Sequence, residues 1–133
     1  VRRGLNVGAH FILGLPGETE HDLISQIDII SKLPLTTIKF HQLQVVKDTT
    51  MALEFAQNPD AFKFFTVDEY LNLLVKIIER LNPRIVIERF TDEASPQTLI
   101  APSWGKLRTD QLLVKLEKLL EENDTWQGKL WNR

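Results

Sequence analysis

The sequence contains no cysteine among its 133 residues. This absence excludes disulfide bonds, thiolate nucleophiles and any zinc or iron–sulfur centre held by cysteines of this chain. No apolar run comes near the ~20 residues that a transmembrane helix needs. No secretory hydrophobic region follows the first residues. We therefore expect a cytoplasmic protein that does not bind a membrane.

The sequence also lacks an excess of charge of one sign. It has 16 basic and 18 acidic residues, which gives a formal net charge of -2. This balance provides no overall electrostatic attraction to nucleic acid. Hydrophobic residues make up 43% of the chain, which is enough to form a core at this length. We expect a single domain over residues 1–133.

Three segments have the composition of buried strands, because they are rich in β-branched, aliphatic and aromatic residues. They cover residues 7–15, 36–46 and 84–90. Amphipathic helical segments alternate with these strands. Strands and helices that alternate in this way form a parallel sheet through right-handed crossovers. The fold class that we expect is therefore α/β.

Capping signals predict where the helices begin. Thr19 is a plausible N-cap for the first helix, and Thr66 with Glu69 forms a capping box before the clearest amphipathic segment. Thr109 is expected to cap the last helix. Residues 92–104 contain two prolines and are expected to form a loop, whose length is typical of functional loops.

Polar and apolar side chains alternate along the expected strands. Neighbouring residues of a strand point to opposite faces, so Lys39 lies opposite Phe40. A doubly wound sheet is covered by helices on both faces, whereas an incompletely filled (β/α) barrel is covered only on its outside. One polar face therefore favours part of a (β/α) barrel. The side chains predicted to line its interior cavity are His10, Lys39, His41 and Arg89.

A Gly-Leu-Pro-Gly turn at residues 14–17 follows the first strand, at the end where (β/α) barrels hold their ligands. The turn is not a P-loop, because no Lys-Ser/Thr pair follows its second glycine, and it lacks the third glycine of a dinucleotide fingerprint. Glu18 is expected to cap the following helix. We predict no metal ligand and no catalytic residue in this chain.

Five segments, in order, carry a resemblance to a known family: HFILGLPGET, IKFHQLQVVKDTTM, ERFTDEA, LIAPSW and TWQGK. The set resembles the C-terminal part of the radical S-adenosylmethionine (SAM) enzymes and is similar to their YhcC-type branch. Related turns occur in coproporphyrinogen dehydrogenases, methylthiotransferases and Elongator-type enzymes. The resemblance implies an open six-strand (β/α) arch with outer helices. Residues 1–50 would supply its last two strands and residues 51–133 a C-terminal extension.

The resemblance also implies cofactors. Enzymes of this superfamily use SAM and a 4Fe–4S cluster, and an electron from a donor cleaves SAM to a 5′-deoxyadenosyl radical. The positions that match the SAM-binding segments are Ile12, Gly14, Gly17, Gln42, Leu43 and Gln44. The cluster needs three cysteines, which this chain lacks. We therefore expect a C-terminal portion of a longer enzyme, inactive by itself and with neither cofactor bound.

Three functions remain open. The first is part of a radical SAM iron–sulfur oxidoreductase-like enzyme, which contributes to the SAM and substrate cavity for an unknown substrate. The second is a tRNA-modifying enzyme of the same superfamily, since Trp126 and Lys129 belong to an aromatic and basic C-terminal segment. The third is a non-catalytic α/β interaction module. A cut barrel exposes an unpaired strand edge, so we expect the isolated chain to self-associate.

Overall fold

Five strands and four α-helices are present in the computed structural model, which describes residues 3–132. The strands are β1 (Gly8–Leu13), β2 (Thr37–Gln42), β3 (Val45–Val46), β4 (Val86–Arg89) and β5 (Leu99–Ala101). The helices are α1 (Glu20–Ile30), α2 (Thr50–Gln57), α3 (Val67–Arg80) and α4 (Thr109–Glu122). No helix in the described part of the chain is long and apolar enough to cross a membrane.

The main sheet is parallel and has the strand order β1-β2-β4. α1 connects β1 to β2, and α3 lies between β2 and β4 in the chain. The α/β fold class and the parallel sheet are therefore confirmed, and the sheet does not close into a barrel. A separate two-stranded antiparallel sheet pairs β3 with β5.

Two element predictions are wrong. The expected strand at 36–46 divides in two, because Val45 and Val46 pair with β5 instead of continuing the parallel sheet. The expected loop at 92–104 contains β5, which has only three residues and too little periodicity to be read from the sequence. The first strand also ends earlier than expected, at Leu13, since Gly14 turns the chain with a φ of 92°.

The helix starts follow the capping signals in two of three cases. Thr19 and Thr66 each accept a hydrogen bond from a backbone N–H in the first turn, and both capping boxes are complete. The expectation that Thr109 caps α4 is wrong, because the N-cap is Arg108. The Thr109 hydroxyl instead donates to the Glu93 carboxylate, 2.9 Å away, and joins the helix start to the preceding loop.

The core lies between the main sheet and one layer of helices. α3 contacts both α1 and α4. The apolar side chains that form this core all have 8% or less of their surface exposed, and the largest include Leu13, Leu23, Ile27, Ile38, Phe40, Tyr70, Leu74 and Ile77. A second apolar cluster lies at the end of β2, around Leu43, Val45 and Phe62. The helices therefore cover a single face of the sheet.

Tyr70 combines apolar packing with one buried hydrogen bond. Its hydroxyl donates to the carbonyl oxygen of Phe90 at 2.6 Å, and its ring packs against Phe65 and Trp104. Burial raises the pKa of Tyr70 well above its usual range, so the phenol stays a neutral donor. The hydrogen bond ties the end of β4 to α3.

Replacing Tyr70 with phenylalanine should keep the ring packing and remove this hydrogen bond. We expect the free energy of unfolding, measured by urea denaturation, to fall by about 1–2 kcal/mol, because a partly buried carbonyl loses its partner. Replacing the exposed Lys115 with alanine serves as the control and should leave the midpoint almost unchanged. Equal midpoints for Tyr70→Phe and the parent chain would show that the hydrogen bond does not contribute.

Candidate functional site

The open face of β1 carries the first part of the candidate site. Ala9, Phe11 and Leu13 point toward the helices, whereas His10 and Ile12 point away from them. The Ile12 side chain is 38% exposed although it lies within a strand. An exposed aliphatic side chain among polar neighbours offers a contact surface for a flat apolar group.

β2 continues the same face. Lys39 and His41 are half-buried, and the alternating residues Ile38 and Phe40 are fully buried against the helices. The parallel register places His10 beside Lys39 and Ile12 beside His41. Because paired residues of neighbouring strands project to the same side, these four side chains form one continuous surface.

An irregularity in β4 adds Arg89 to this surface. Ile87 pairs with Ile38, and the next pair is Lys39 with Arg89, so Glu88 is an extra residue in the ladder. Glu88 forms an ion pair with Lys39 at 3.5 Å. Arg89 forms an ion pair with Asp92 at 3.3 Å. The four residues predicted from the sequence to line a cavity, His10, Lys39, His41 and Arg89, therefore lie together on three adjacent strands. That they line a cavity stays a prediction.

Glycine is needed at the two positions of this turn for different physical reasons. Both have positive φ, 92° at Gly14 and 80° at Gly17. A Cβ atom at Gly14 would lie 2.7 Å from the Phe65 ring, whereas one at Gly17 would have no neighbour within 4 Å. Phe65 therefore fills the space beside Gly14, and Gly17 is explained by its backbone conformation alone. Contact of either glycine with SAM stays a prediction.

Glu18 closes the turn, and the expectation that it caps α1 is wrong because Thr19 is the cap. One Glu18 carboxylate oxygen accepts hydrogen bonds from the N–H groups of Gly14 (3.3 Å) and Leu15 (3.2 Å). These bonds fix the exit of β1. Hydrogen bonding with the Thr19 backbone N–H, and also with the Thr19 side chain, lowers the pKa of Asp22 in the first turn of α1. A groove of about 470 Å³ runs along this turn and the start of α1.

The three residues at the end of β2 that are predicted to contact SAM differ in their burial and in their contacts. Gln42 is only 4% exposed and lies on the helix-covered face. Its side-chain oxygen accepts from the Thr91 hydroxyl at 2.7 Å. Leu43 is buried in the second apolar cluster, and Gln44 is half-buried. The Gln42 side chain therefore points away from the polar face, and a SAM contact in this segment stays a prediction.

The chain offers no evident site for an iron–sulfur cluster. It has no cysteine. Between residues 3 and 132, no group of three or more histidine, aspartate or glutamate side chains is arranged to hold a metal ion. The cysteine donor set of a 4Fe–4S cluster is thus missing from this chain.

Comparison with known families decides the identity of the domain. The model of the radical SAM C-terminal domain matches residues 35–121. The chain belongs to the radical SAM C-terminal domain family. This family assignment confirms the resemblance that the five ordered segments indicated. The match covers β2, the helices α2 and α3, β4, β5 and most of α4.

Several curated proteins are similar to this radical SAM domain over almost all of its length. The uncharacterized protein MJ0486 of Methanocaldococcus jannaschii is 30% identical over 96% of this chain and 39% of its own. YtqA of Bacillus subtilis is 26% identical and YhcC of Escherichia coli is 29% identical, each over 99% of this chain. The chain spans about two fifths of the length of these relatives, at 39%, 40% and 41%.

A solved structure has the same fold. It is the archaeal Methanocaldococcus infernus Elp3 with a deletion of its N-terminus. The TM-score is 0.75 and the sequence identity is 16%, over 94% of this chain and 29% of that chain. At this identity the similarity establishes the fold alone, and it supports the open parallel sheet described above.

Proposed function

We propose that this domain forms the C-terminal wall of the SAM and substrate cavity in a longer radical SAM enzyme of the cytoplasm. The observation that carries the proposal is the one-sided sheet. Helices cover the face of Phe40, and the opposite face presents His10, Lys39 and His41. In an open (β/α) arch the inner face lines the ligand cavity, so polar side chains on this face would contact the cofactor and substrate.

The fit to SAM rests on Ile12. Its exposed side chain provides an apolar contact for the flat adenine ring, and the neighbouring His41 provides hydrogen-bonding groups. When bound in an enzyme of this family, SAM supplies a 5′-deoxyadenosyl radical. The residues of this chain would orient the cofactor and substrate. The cluster and the contacts to an electron donor would come from the remaining part of the parent.

The proposal is tested on the full-length parent after anaerobic reconstitution with iron, sulfide and a reductant. We expect a 4Fe–4S cluster and production of 5′-deoxyadenosine from SAM. Replacing Ile12 with aspartate in the parent should raise the KM for SAM, because it puts an unpaired charge where an apolar contact is needed. Exposed Val114 on α4 gives the matched control, Val114→Asp. Absence of both cluster and 5′-deoxyadenosine would overturn the proposal.

We also propose that the isolated chain self-associates through the free edge of β1. In the described residues β1 pairs with β2 alone, and Leu5 and Val7, which immediately precede β1, are exposed. An uncovered strand edge with apolar neighbours is a template for pairing with another chain. Sedimentation should therefore show oligomers that grow with concentration.

A single charged substitution on β1 tests whether its free edge causes self-association. Ile12→Lys on β1 should increase the monomer fraction, since lysine on an edge strand opposes pairing. Val114→Lys replaces a 65% exposed aliphatic residue on α4 and should leave the oligomers intact. A monomer at all concentrations of the unmodified chain would contradict self-association.

A second candidate, a tRNA-modifying parent, is favoured by one exposed surface. The Trp126 side chain is 56% exposed, and the Lys129 ammonium lies 5.0 Å from the centre of its ring. An exposed ring beside a cation suits stacking on an unpaired base. This candidate would be supported if the full-length parent binds tRNA and if the binding becomes weaker at higher salt and in the Trp126→Ala variant. Unchanged binding in that variant would remove the role of this surface.

A further inference from the structure

A second cavity, of about 360 Å³, has none of His10, Lys39, His41 and Arg89 in its lining. It is bounded by the end of β2 at Gln42, by Thr91 two residues after β4, by the segment 92–107 and by the start of α4. Gln42 is on the helix-covered face of β2, opposite Lys39 and His41. The cavity also borders Gln42 and Gln44, two of the positions predicted to contact SAM, and its volume is in the range of small-molecule sites, about 300–1,000 Å³.

The walls of this cavity are held in place by hydrogen bonds. The Trp104 indole N–H donates to the Phe65 carbonyl at 2.9 Å, and its ring packs against Tyr70. The amide groups of Gln42 and Gln44 both donate to the carbonyl oxygen of Asp92, at 3.3 and 3.1 Å. Such a preformed site loses little conformational entropy on binding.

The apolar part of the lining is suited to a flat ligand. Trp104 offers an aromatic ring, and two prolines and several aliphatic residues complete the wall. These apolar residues are Pro96, Leu99, Ile100, Pro102, Leu107 and Leu112. Stacking on a rigid indole and aliphatic contacts together favour a planar aromatic group over a flexible chain.

Among the described residues, two charged groups that line the cavity have no ion-pair partner, the Glu93 carboxylate and the Lys106 ammonium. Asp92 pairs with Arg89, and Arg108 pairs with Asp110. The Glu93 carboxylate accepts from Thr109 at the start of α4. Lys106 lines the same cavity, and its ammonium has no ion-pair or hydrogen-bond partner between residues 3 and 132. The cavity therefore has an aromatic wall and one available cation.

We propose that this cavity binds a planar aromatic anion, with its ring against Trp104 and its acidic group at Lys106. Ligands of this class share an aromatic ring that bears a carboxylate or a phosphate.

The test uses the 133-residue chain and three probes: 2-naphthoate, its neutral isostere 2-naphthamide, and acetate. Two-dimensional NMR would follow the indole N–H signals, with Trp104 assigned from a Trp104→Phe variant. We expect saturable shifts of the Trp104 signal with 2-naphthoate, weaker binding of 2-naphthamide and none of acetate. The indole signals of Trp126 and Trp131 in the same spectra serve as internal controls.

Lys106→Ala should weaken 2-naphthoate binding roughly three- to fivefold, as expected for a solvent-screened ion pair, and leave 2-naphthamide binding unchanged. Lys115→Ala, which removes an exposed lysine from α4, should change neither. No saturable Trp104 shift with 2-naphthoate would overturn the site. Equal affinity for both naphthyl probes, or equal effects of the two lysine variants, would overturn its preference for an anion.

Discussion

Phe40→Ala is expected to lower the free energy of unfolding by about 3–5 kcal/mol, whereas His41→Ala on the next position of β2 should change it by less than about 1 kcal/mol. Phe40 is 0% exposed and packs within the core, with its ring edge-to-face against Phe11. Removing the ring leaves a cavity that the helices cannot fill. His41 lies on the open face and has no such packing.

Urea denaturation of the two variants measures this contrast directly. Lys39→Ala provides a second open-face substitution, which removes one surface ion pair with Glu88 and should also have a small effect. If His41→Ala and Lys39→Ala both lowered the free energy of unfolding by a large amount, the polar face would be packed in the isolated chain. That result would contradict a sheet covered on one side.

Gly14→Ala should lower the free energy of unfolding by about 2–5 kcal/mol. Two causes combine. A residue with a side chain is strained at a φ of 92°, and the added Cβ would lie 2.7 Å from the Phe65 ring. The ring has little freedom to move because it packs against Tyr70.

Gly17→Ala is the matched control for that effect, because Gly17 has a similar φ of 80° and no neighbour within 4 Å. It should cost only about 1–2 kcal/mol, which is the backbone strain alone. Trimming the ring with Phe65→Leu should reduce the cost of Gly14→Ala in a double-mutant cycle. Equal costs for the two glycines, or no coupling to Phe65, would show that the contact does not constrain the turn.

Much of the fold follows from side-chain alternation and capping signals. The polar and apolar faces of β1 and β2 are read from neighbouring residues such as Lys39 and Phe40, and the capping box at Thr66 fixes the start of α3. These signals are local. The pairing of β3 with β5 depends on segments far apart in the chain. Because these strands are short and have no pattern of their own, the sequence does not predict them.

In the candidate site, too, some features follow from local sequence signals and others depend on residues far apart in the chain. Alternation placed His10, Lys39 and His41 on one face correctly. Arg89 reaches that face because Glu88 is an extra residue in the ladder, and a bulge depends on the partner strand. The sequence also does not predict the Gln42 contact with Thr91, since it joins the last residue of β2 to a residue 49 positions further along the chain.

The most direct test of the open-face account compares the chemical reactivity of the three histidines. Diethyl pyrocarbonate modifies accessible imidazoles, and mass spectrometry reports each site. His21 lies exposed in the first turn of α1 and serves as the internal standard. We predict that His10 and His41 react in the isolated chain and become protected, relative to His21, in the full-length parent with SAM bound. Equal reactivity of all three histidines in that parent would contradict the account.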